Sequence, residues 1–290
     1  MKPHFFILGN PRSGTTLFRL MMNSHPSIVV PPECGFAEWH YDQFKTWSSE
    51  SSKDQKQVCG FLDALAKSKK IETWELDFDV LKKNIEKNEP ADYSELCELI
   101  YLAYAREDVD SIKIWGDKNN YFLHKTAKIH EIFPRAKYVR IIRDGRDVAC
   151  SYIEMKHVKT ESSYKPVLTD DVIEIAREWV SNNTVIDNFF SSLPDHSHIT
   201  IKYEDLVASP EKTLKTVTGF LQIDFNSSML SYYKIPSGKE PKDLLDWKSK
   251  TLEAPDASNV GRYKKVMPQN EIIKFNNIAQ NYLTTYGYEL

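Results

Sequence analysis

Residues 4–33, HFFILGNPRSGTTLFRLMMNSHPSIVVPPE, leave few choices to the rest of the chain. His4 to Leu8 is an apolar run too short for a helix, Gly9-Asn10-Pro11 interrupts it, and Leu17, Leu20 and Met21 then recur at helical spacing. The pattern predicts a buried strand, a tight loop and an amphipathic helix. A loop so placed turns backbone N–H groups and a helix N-terminus toward an anion. Gly14 lets the backbone come close, and Ser13, Thr15 and Thr16 add hydroxyl donors.

The nearest general motif is the P-loop, GxxxxGK(S/T), which Gly9 to Thr16 fit except that Thr15 stands where the lysine should be. That lysine reaches the β- and γ-phosphates of a nucleoside triphosphate, so its absence argues against ATP or GTP hydrolysis while leaving a phosphate cradle intact. Arg12 supplies a cation nearby. On these residues alone, an ordinary strand–helix corner with a surface arginine is an equal alternative.

The 290 residues suffice for one large α/β domain or two small ones, and one is the simpler reading. A hydrophobic fraction of 41% with 27% charged residues excludes the disordered and fibrous classes. The formal charge of −3 argues against general nucleic-acid binding, so any basic site is local. Cys34, Cys59, Cys97 and Cys150 form no CxxC pair and no cluster at metal-ligand spacing, so neither a zinc site nor a disulfide framework is expected. A reducing, cytoplasmic setting follows. No signal-peptide pattern and no apolar run approaching ~20 residues stands in the sequence, so no membrane span is expected.

Beyond Glu33, Phe36, Trp39, Tyr41, Phe44 and Trp47 crowd a polar stretch that reads as a loop or broken helix over the site; such a density of aromatics could line an acceptor pocket, while cover for the sheet is the plainer reading of any one of them. Residues 54–69 and 92–107 place apolar residues at helical spacing behind Asp54 and Asp92 as N-caps, and 71–90 reads as a charged connection with a short helix. Together, residues 36–110 form a helical insertion. Ile112 to Trp115 is expected as a second strand closed by Gly116-Asp117-Lys118, Tyr121 to Phe133 as a helix, and Lys137 to Ile142 as a third strand. The third strand runs into Arg143-Asp144-Gly145 and a helix carrying Ser151, which would bring a guanidinium and a hydroxyl near one anion. A long helix over 171–192, a fourth strand over Ser197 to Tyr203, a helix started by Ser209-Pro210 and a closing helix over 269–286 complete the pattern. Pro236, Pro241 and Pro255 lie in irregular polar sequence that reads as a long ordered loop or lid.

PRSGTTLFRLMMNSHP resembles the 5′-phosphosulfate loop of the sulfotransferase family, closest to the branch of tyrosylprotein and many bacterial sulfotransferases. That resemblance implies a P-loop-like α/β fold with a mainly parallel central sheet flanked by helices. It also implies 3′-phosphoadenosine 5′-phosphosulfate (PAPS) as co-substrate, without a metal. The branch's spacing from the loop arginine to a catalytic glutamate falls on Arg12 and Glu33. Its lysine at the sulfuryl group falls on Lys118 in WGDKNNYFLHKTAKIHEIFP, where a lysine is otherwise most often solvated. RDGRDVACSY resembles the 3′-phosphate site, matching Arg143 and Ser151; ITIKYEDLVASPEKTL matches the cofactor tyrosine at Tyr203; and NVGRYKKVMP matches a basic nucleotide contact at Arg262. By resemblance, then, residues 1–290 are one sulfotransferase domain with a cofactor-covering loop at 235–267. Cofactor contacts are implied at Arg12, Ser13, Gly14, Thr15, Thr16, Arg143, Ser151, Tyr203 and Arg262, and catalytic roles at Glu33, Lys118 and Arg12.

The implied activity is sulfuryl transfer to an acceptor hydroxyl, less readily an amine, of a small molecule, carbohydrate or peptide. A small-molecule kinase with a degenerate P-loop and a non-catalytic module binding 3′-phosphoadenosine 5′-phosphate (PAP) are the alternatives. Glu33 and Lys118 discriminate against a pure binder, which needs neither. Phenol and steroid sulfotransferases use a histidine two residues after the lysine, and here that position is Asn120, which turns the expected base toward Glu33 and leaves His124 and His25 as reserves.

Overall fold

The computed structural model describes residues 1–234 and 240–290. Five strands, β1 (His4–Leu8), β2 (Ile28–Val29), β3 (Ile114–Lys118), β4 (Lys137–Ile142) and β5 (His198–Lys202), form one sheet in the order β2-β3-β1-β4-β5. Every pairing is parallel, with Ile7 opposite Lys118, Phe5 opposite Lys137, Ile28 opposite Ile114 and Ile142 opposite Lys202. Parallel strands need covered crossovers, which is why the central strands are apolar on both faces. All five residues of β1 are buried. Phe5 and Ile7 point into a cluster with Leu17, Met21, Ile114, Val139 and Leu214, whereas Phe6 and Leu8 point into one with Trp115, Tyr138, Phe36 and Tyr101.

The helices 15–23, 203–208 and 210–221 cover the first face. The 36–110 stretch covers the second: helices 55–66, 78–88 and 93–103 pack there, and Tyr101 stacks on Trp115 with ring centroids 4.3 Å apart. Asp54 and Asp92 cap their helices as expected, accepting from the N–H groups of Lys56 at 2.8 Å and Glu95 at 2.9 Å. The aromatic run breaks into short helices at 36–39 and 41–44, with Phe36 and Trp47 in the core. Helices 145–157, 172–191 and 269–285 build a third cluster around Trp179 and Phe275.

Four expectations need correction. Ile28–Val29 is a strand that sequence reasoning passed over, because its two residues are organised by pairing with Ile114 and Trp115 rather than by local pattern. The expected strand from Ile112 is shifted: it runs through Gly116 to Lys118, since a Cβ at Gly116 would lie 2.6 Å from the Phe5 ring, and the glycine admits that ring rather than ending the strand. The expected helix over 121–133 opens with a tight 3-10 segment, Asn120–Lys125, before Thr126–Ile132 becomes α-helical. The connection at 71–90 holds an eleven-residue helix, Phe78–Asn88, anchored by Leu81 and Ile85. Residues 235–239 of the expected covering loop lie outside the described residues; from Glu240 the segment continues through short helical turns.

Candidate active site

Ligands of open parallel sheets bind beyond the carboxyl ends of the strands, where the strand order reverses. Here every strand delivers a nominated residue to that edge: β1 the loop 12–16, β2 Glu33, β3 Lys118, β4 Arg143 and β5 Tyr203. All the nominated residues except Ser13 line one cavity of about 770 Å³. Ser13 lies beneath it, 1% exposed, with an Oγ that has no protein partner.

The loop is shaped by two residues of positive φ. Arg12 sits at φ +69, a strained setting of the kind found at ligand clamps. Its Nε donates to Ser151 Oγ at 2.9 Å and its Nη1 to the Trp247 carbonyl at 3.3 Å. Gly14 sits at φ +90 as the N-cap of the first helix, and a Cβ there would lie 2.4 Å from the Tyr203 ring. Glycine is therefore required twice, for the turn and for the tyrosine over it. Thr15 and Thr16 begin the helix and line the cavity, and the first N–H groups of a helix have no acceptor within it.

Arg143 is 6% exposed and lies over the Tyr203 ring at 4.3 Å. It donates to the Arg12 carbonyl at 3.2 Å and the Asn259 carbonyl at 3.0 Å, while its Nε has no partner. Buried donors are almost always satisfied, so the unpaired Ser13 Oγ and Arg143 Nε are what an absent anionic ligand would complete. Ser151 reaches Arg12 rather than Arg143, though both face the same cavity. Arg262 lies at the rim in an ion pair with Glu154, Nη1 to Oε2 at 3.1 Å.

Across the cavity, Glu33 lies between two lysines: Lys118 Nζ contacts Oε1, and Lys70 Nζ lies 2.9 Å from Oε2. Trp74 Nε1, donating to the Pro32 carbonyl at 2.9 Å, fixes the backbone just before the carboxylate. Burial pushes Glu33 upward, but Lys118, Lys248 and Lys70 together hold it well below the usual carboxylate range. Lys118 is also lowered, to about 8, because burial outweighs its attraction to Glu33. Behind this pair, Glu240 joins Arg19 and Lys248, each at 2.7 Å, in a second buried ionic group.

Sequence reasoning missed Lys70, Lys248 and Glu240. Lys70 ends an unremarked run with Lys67 and Lys69, and the other two lie in irregular sequence, so no local signal distinguished them. The reserve histidines are elsewhere: His124 is exposed, and His25 is occupied by the Asp224 carbonyl at 2.9 Å and the Ser27 N–H at 3.0 Å. Among the described residues no three His, Cys, Asp or Glu side chains are grouped to hold a metal, and no helix is long and apolar enough to cross a membrane.

The sulfotransferase family profile matches residues 3–227. Protein-tyrosine sulfotransferase 1 of Danio rerio is 26% identical over 238 residues, 80% of this chain and 57% of its own length. The chain thus spans little more than half of that relative. The sulfotransferase domain of the Synechococcus PCC 7002 olefin synthase superposes with a TM-score of 0.65 at 19% identity, over 100% of this chain and 96% of that one. A mouse sulfotransferase solved in complex with PAP superposes with a TM-score of 0.54 at 14% identity, over 98% of this chain and 85% of that one. The parallel sheet, the glycine loop at its carboxyl edge and the extent of the profile match together assign this chain to the sulfotransferase family.

Proposed function

We propose that this chain transfers a sulfuryl group from PAPS to an acceptor hydroxyl, with Glu33 as general base. The observation that carries the reading is the Glu33–Lys118 pair set in the same cavity as the phosphate-type loop. A module that only binds nucleotide has no use for a buried carboxylate between two lysines. The missing P-loop lysine likewise disfavours a kinase, since Thr15 cannot reach a triphosphate's terminal groups.

PAPS supplies the activated sulfuryl group when bound. Ser13, Thr15, Thr16 and the loop N–H groups would hold its 5′-phosphosulfate end, Arg143 and Ser151 its 3′-phosphate, and Tyr203 and Arg262 the nucleotide. The mouse relative's complex with PAP supports this choice of nucleotide. In-line transfer needs charge neutralised on the leaving oxygen as the S–O bond to phosphate breaks. Arg12 and Lys118 supply that cationic environment. Glu33 takes the acceptor's hydroxyl proton as the new S–O bond forms, which activates an otherwise weak nucleophile. On this reading residues 1–290 are one sulfotransferase domain, with 36–110 inserted between β2 and β3 and, among the described residues, 240–267 covering the nucleotide.

The relatives' naming favours a peptide tyrosine as the first acceptor to try. The test is labelled [³⁵S]PAPS with tyrosine peptides, phenols, sugars and lipids, read by label in the acceptor. Label transfer to one class supports the reading and names the acceptor class. PAP binding without transfer to any of them would favour the non-catalytic alternative.

A further inference from the structure

Glu33 touches two ammonium groups, and they are held very differently. Lys118 comes from β3 and lines the same cavity as Arg12. Lys70 comes from the 36–110 stretch, is 6% exposed, and meets the opposite carboxylate oxygen at 2.9 Å. Its backbone is at φ +73, a left-handed setting disfavoured for any residue with a Cβ. The turn that follows holds it there: Thr73 Oγ1 donates to the Lys70 carbonyl at 2.7 Å, Ile71 and Trp74 are buried, and Trp74 is tied to Pro32 beside the carboxylate. The Tyr121 and Tyr164 rings flank the ammonium at 5.4 and 5.7 Å. A lysine strained, buried and enclosed in this way has been placed, not merely accommodated.

We infer that Lys70 is the positioning residue for Glu33, keeping its carboxylate ionised and oriented while Lys118 serves the transferring group. The inference rests on the proposal that Glu33 is the base. A carboxylate paired only with Lys118 would lose its direct counter-ion whenever Lys118 turned to the donor, with Lys248 acting only from its own ion pair with Glu240, and would be protonated more readily. With Lys70 on its other oxygen it retains a counter-ion throughout. The charged and titratable groups around Glu33 are Lys118 and Asp117 from β3, Lys70, and Lys248 from segment 245–248. Those around Lys70 are Glu33, Tyr121, Tyr164 and Glu240. Burial works against the Lys70 charge but the Glu33 carboxylate more than offsets it, so Lys70 stays protonated where Lys118 begins to titrate.

The test uses Lys70→Met and Lys70→Arg in the full chain saturated with PAP. Glutamate labelled with ¹³C at the carboxyl carbon is titrated by NMR, and the Glu33 signal is the one missing from Glu33→Gln. The Lys70→Met midpoint should rise by about one to three pH units, and Lys70→Arg should restore the wild-type curve. Turnover with [³⁵S]PAPS and the identified acceptor should fall at least tenfold in Lys70→Met, with its acid limb moved upward and PAP affinity retained. Should the methionine variant unfold, Lys70→Gln takes its place. An unmoved Glu33 midpoint in a folded, PAP-binding variant overturns the inference whatever the base is. Normal turnover in Glu33→Gln would instead overturn the assignment of the base.

Discussion

Replacing Arg143 by alanine tests whether this family's nucleotide is read as the site suggests. The guanidinium is almost wholly desolvated, lies on the Tyr203 ring, and spends Nη1 and Nη2 on the carbonyls of Arg12 and Asn259 while Nε remains open. Truncating one partner of a desolvated charge pair costs about 2–5 kcal/mol, which is about 30- to 4,000-fold in Kd for PAP. ADP lacks the 3′-phosphate, so its affinity should fall less than about tenfold, through loosening of the Arg12 and Asn259 carbonyls and the Tyr203 ring that Arg143 holds. Titration calorimetry of both nucleotides on wild type, Arg143→Ala and Arg143→Lys measures this, with thermal unfolding to verify that the variants fold. The lysine keeps the charge but loses the planar stack and fork, and should fall between the other two. Equal losses for PAP and ADP, or unchanged PAP affinity, would refute the reasoning.

Three further outcomes follow from the same geometry. Because burial brings Lys118 to about 8, kcat/KM should decline as pH rises through that value and the cation is lost; Lys118→Arg, which does not titrate there, should remove the decline, and a pH–rate profile of each decides it. Gly14→Ala should lower Tm and weaken PAP binding, since a left-handed backbone costs a Cβ-bearing residue roughly 1–2 kcal/mol and the new Cβ meets the Tyr203 ring; a Tyr203→Ala background should relieve only the clash, which a double-mutant cycle separates. Glu240→Ala should destabilise the fold by about 3–5 kcal/mol in denaturant titration, because Arg19 is left buried without its carboxylate. Burial raises Glu240, but Lys248, Arg19 and Lys118 bring it down to about 2, so its stabilisation is complete above the unfolded value of 4.5 and fades as pH falls through about 2.

The parts of this molecule that were legible are those in which local pattern and function coincide. Strand, loop and helix at 4–23 are encoded by an apolar run, a glycine and helical spacing within a few residues of one another. Asp54 and Asp92 announce their helices because capping is a local interaction. Lys137 to Ile142 leads straight into Arg143, so strand and candidate ligand are read together. What escaped depends on distant chain. Ile28–Val29 becomes a strand only beside β3, and Gly116 is a strand residue only because Phe5 lies across it. Lys70, Lys248 and Glu240 are ordinary charges in sequence and acquire meaning when folding desolvates them around Glu33 and Arg19. The Arg12–Ser151 bond likewise joins two motifs that the family resemblance places at opposite ends of one nucleotide.

The central claim is that Glu33 does acid–base work in a sulfuryl-transfer site, and Glu33→Gln measures it most directly. The amide keeps the size of the side chain and loses its basicity. Turnover of [³⁵S]PAPS with the identified acceptor should fall by about 10²–10⁴-fold, while calorimetric affinity for PAP stays close to wild type. Near-normal turnover in that variant, with PAP still bound, would contradict the account.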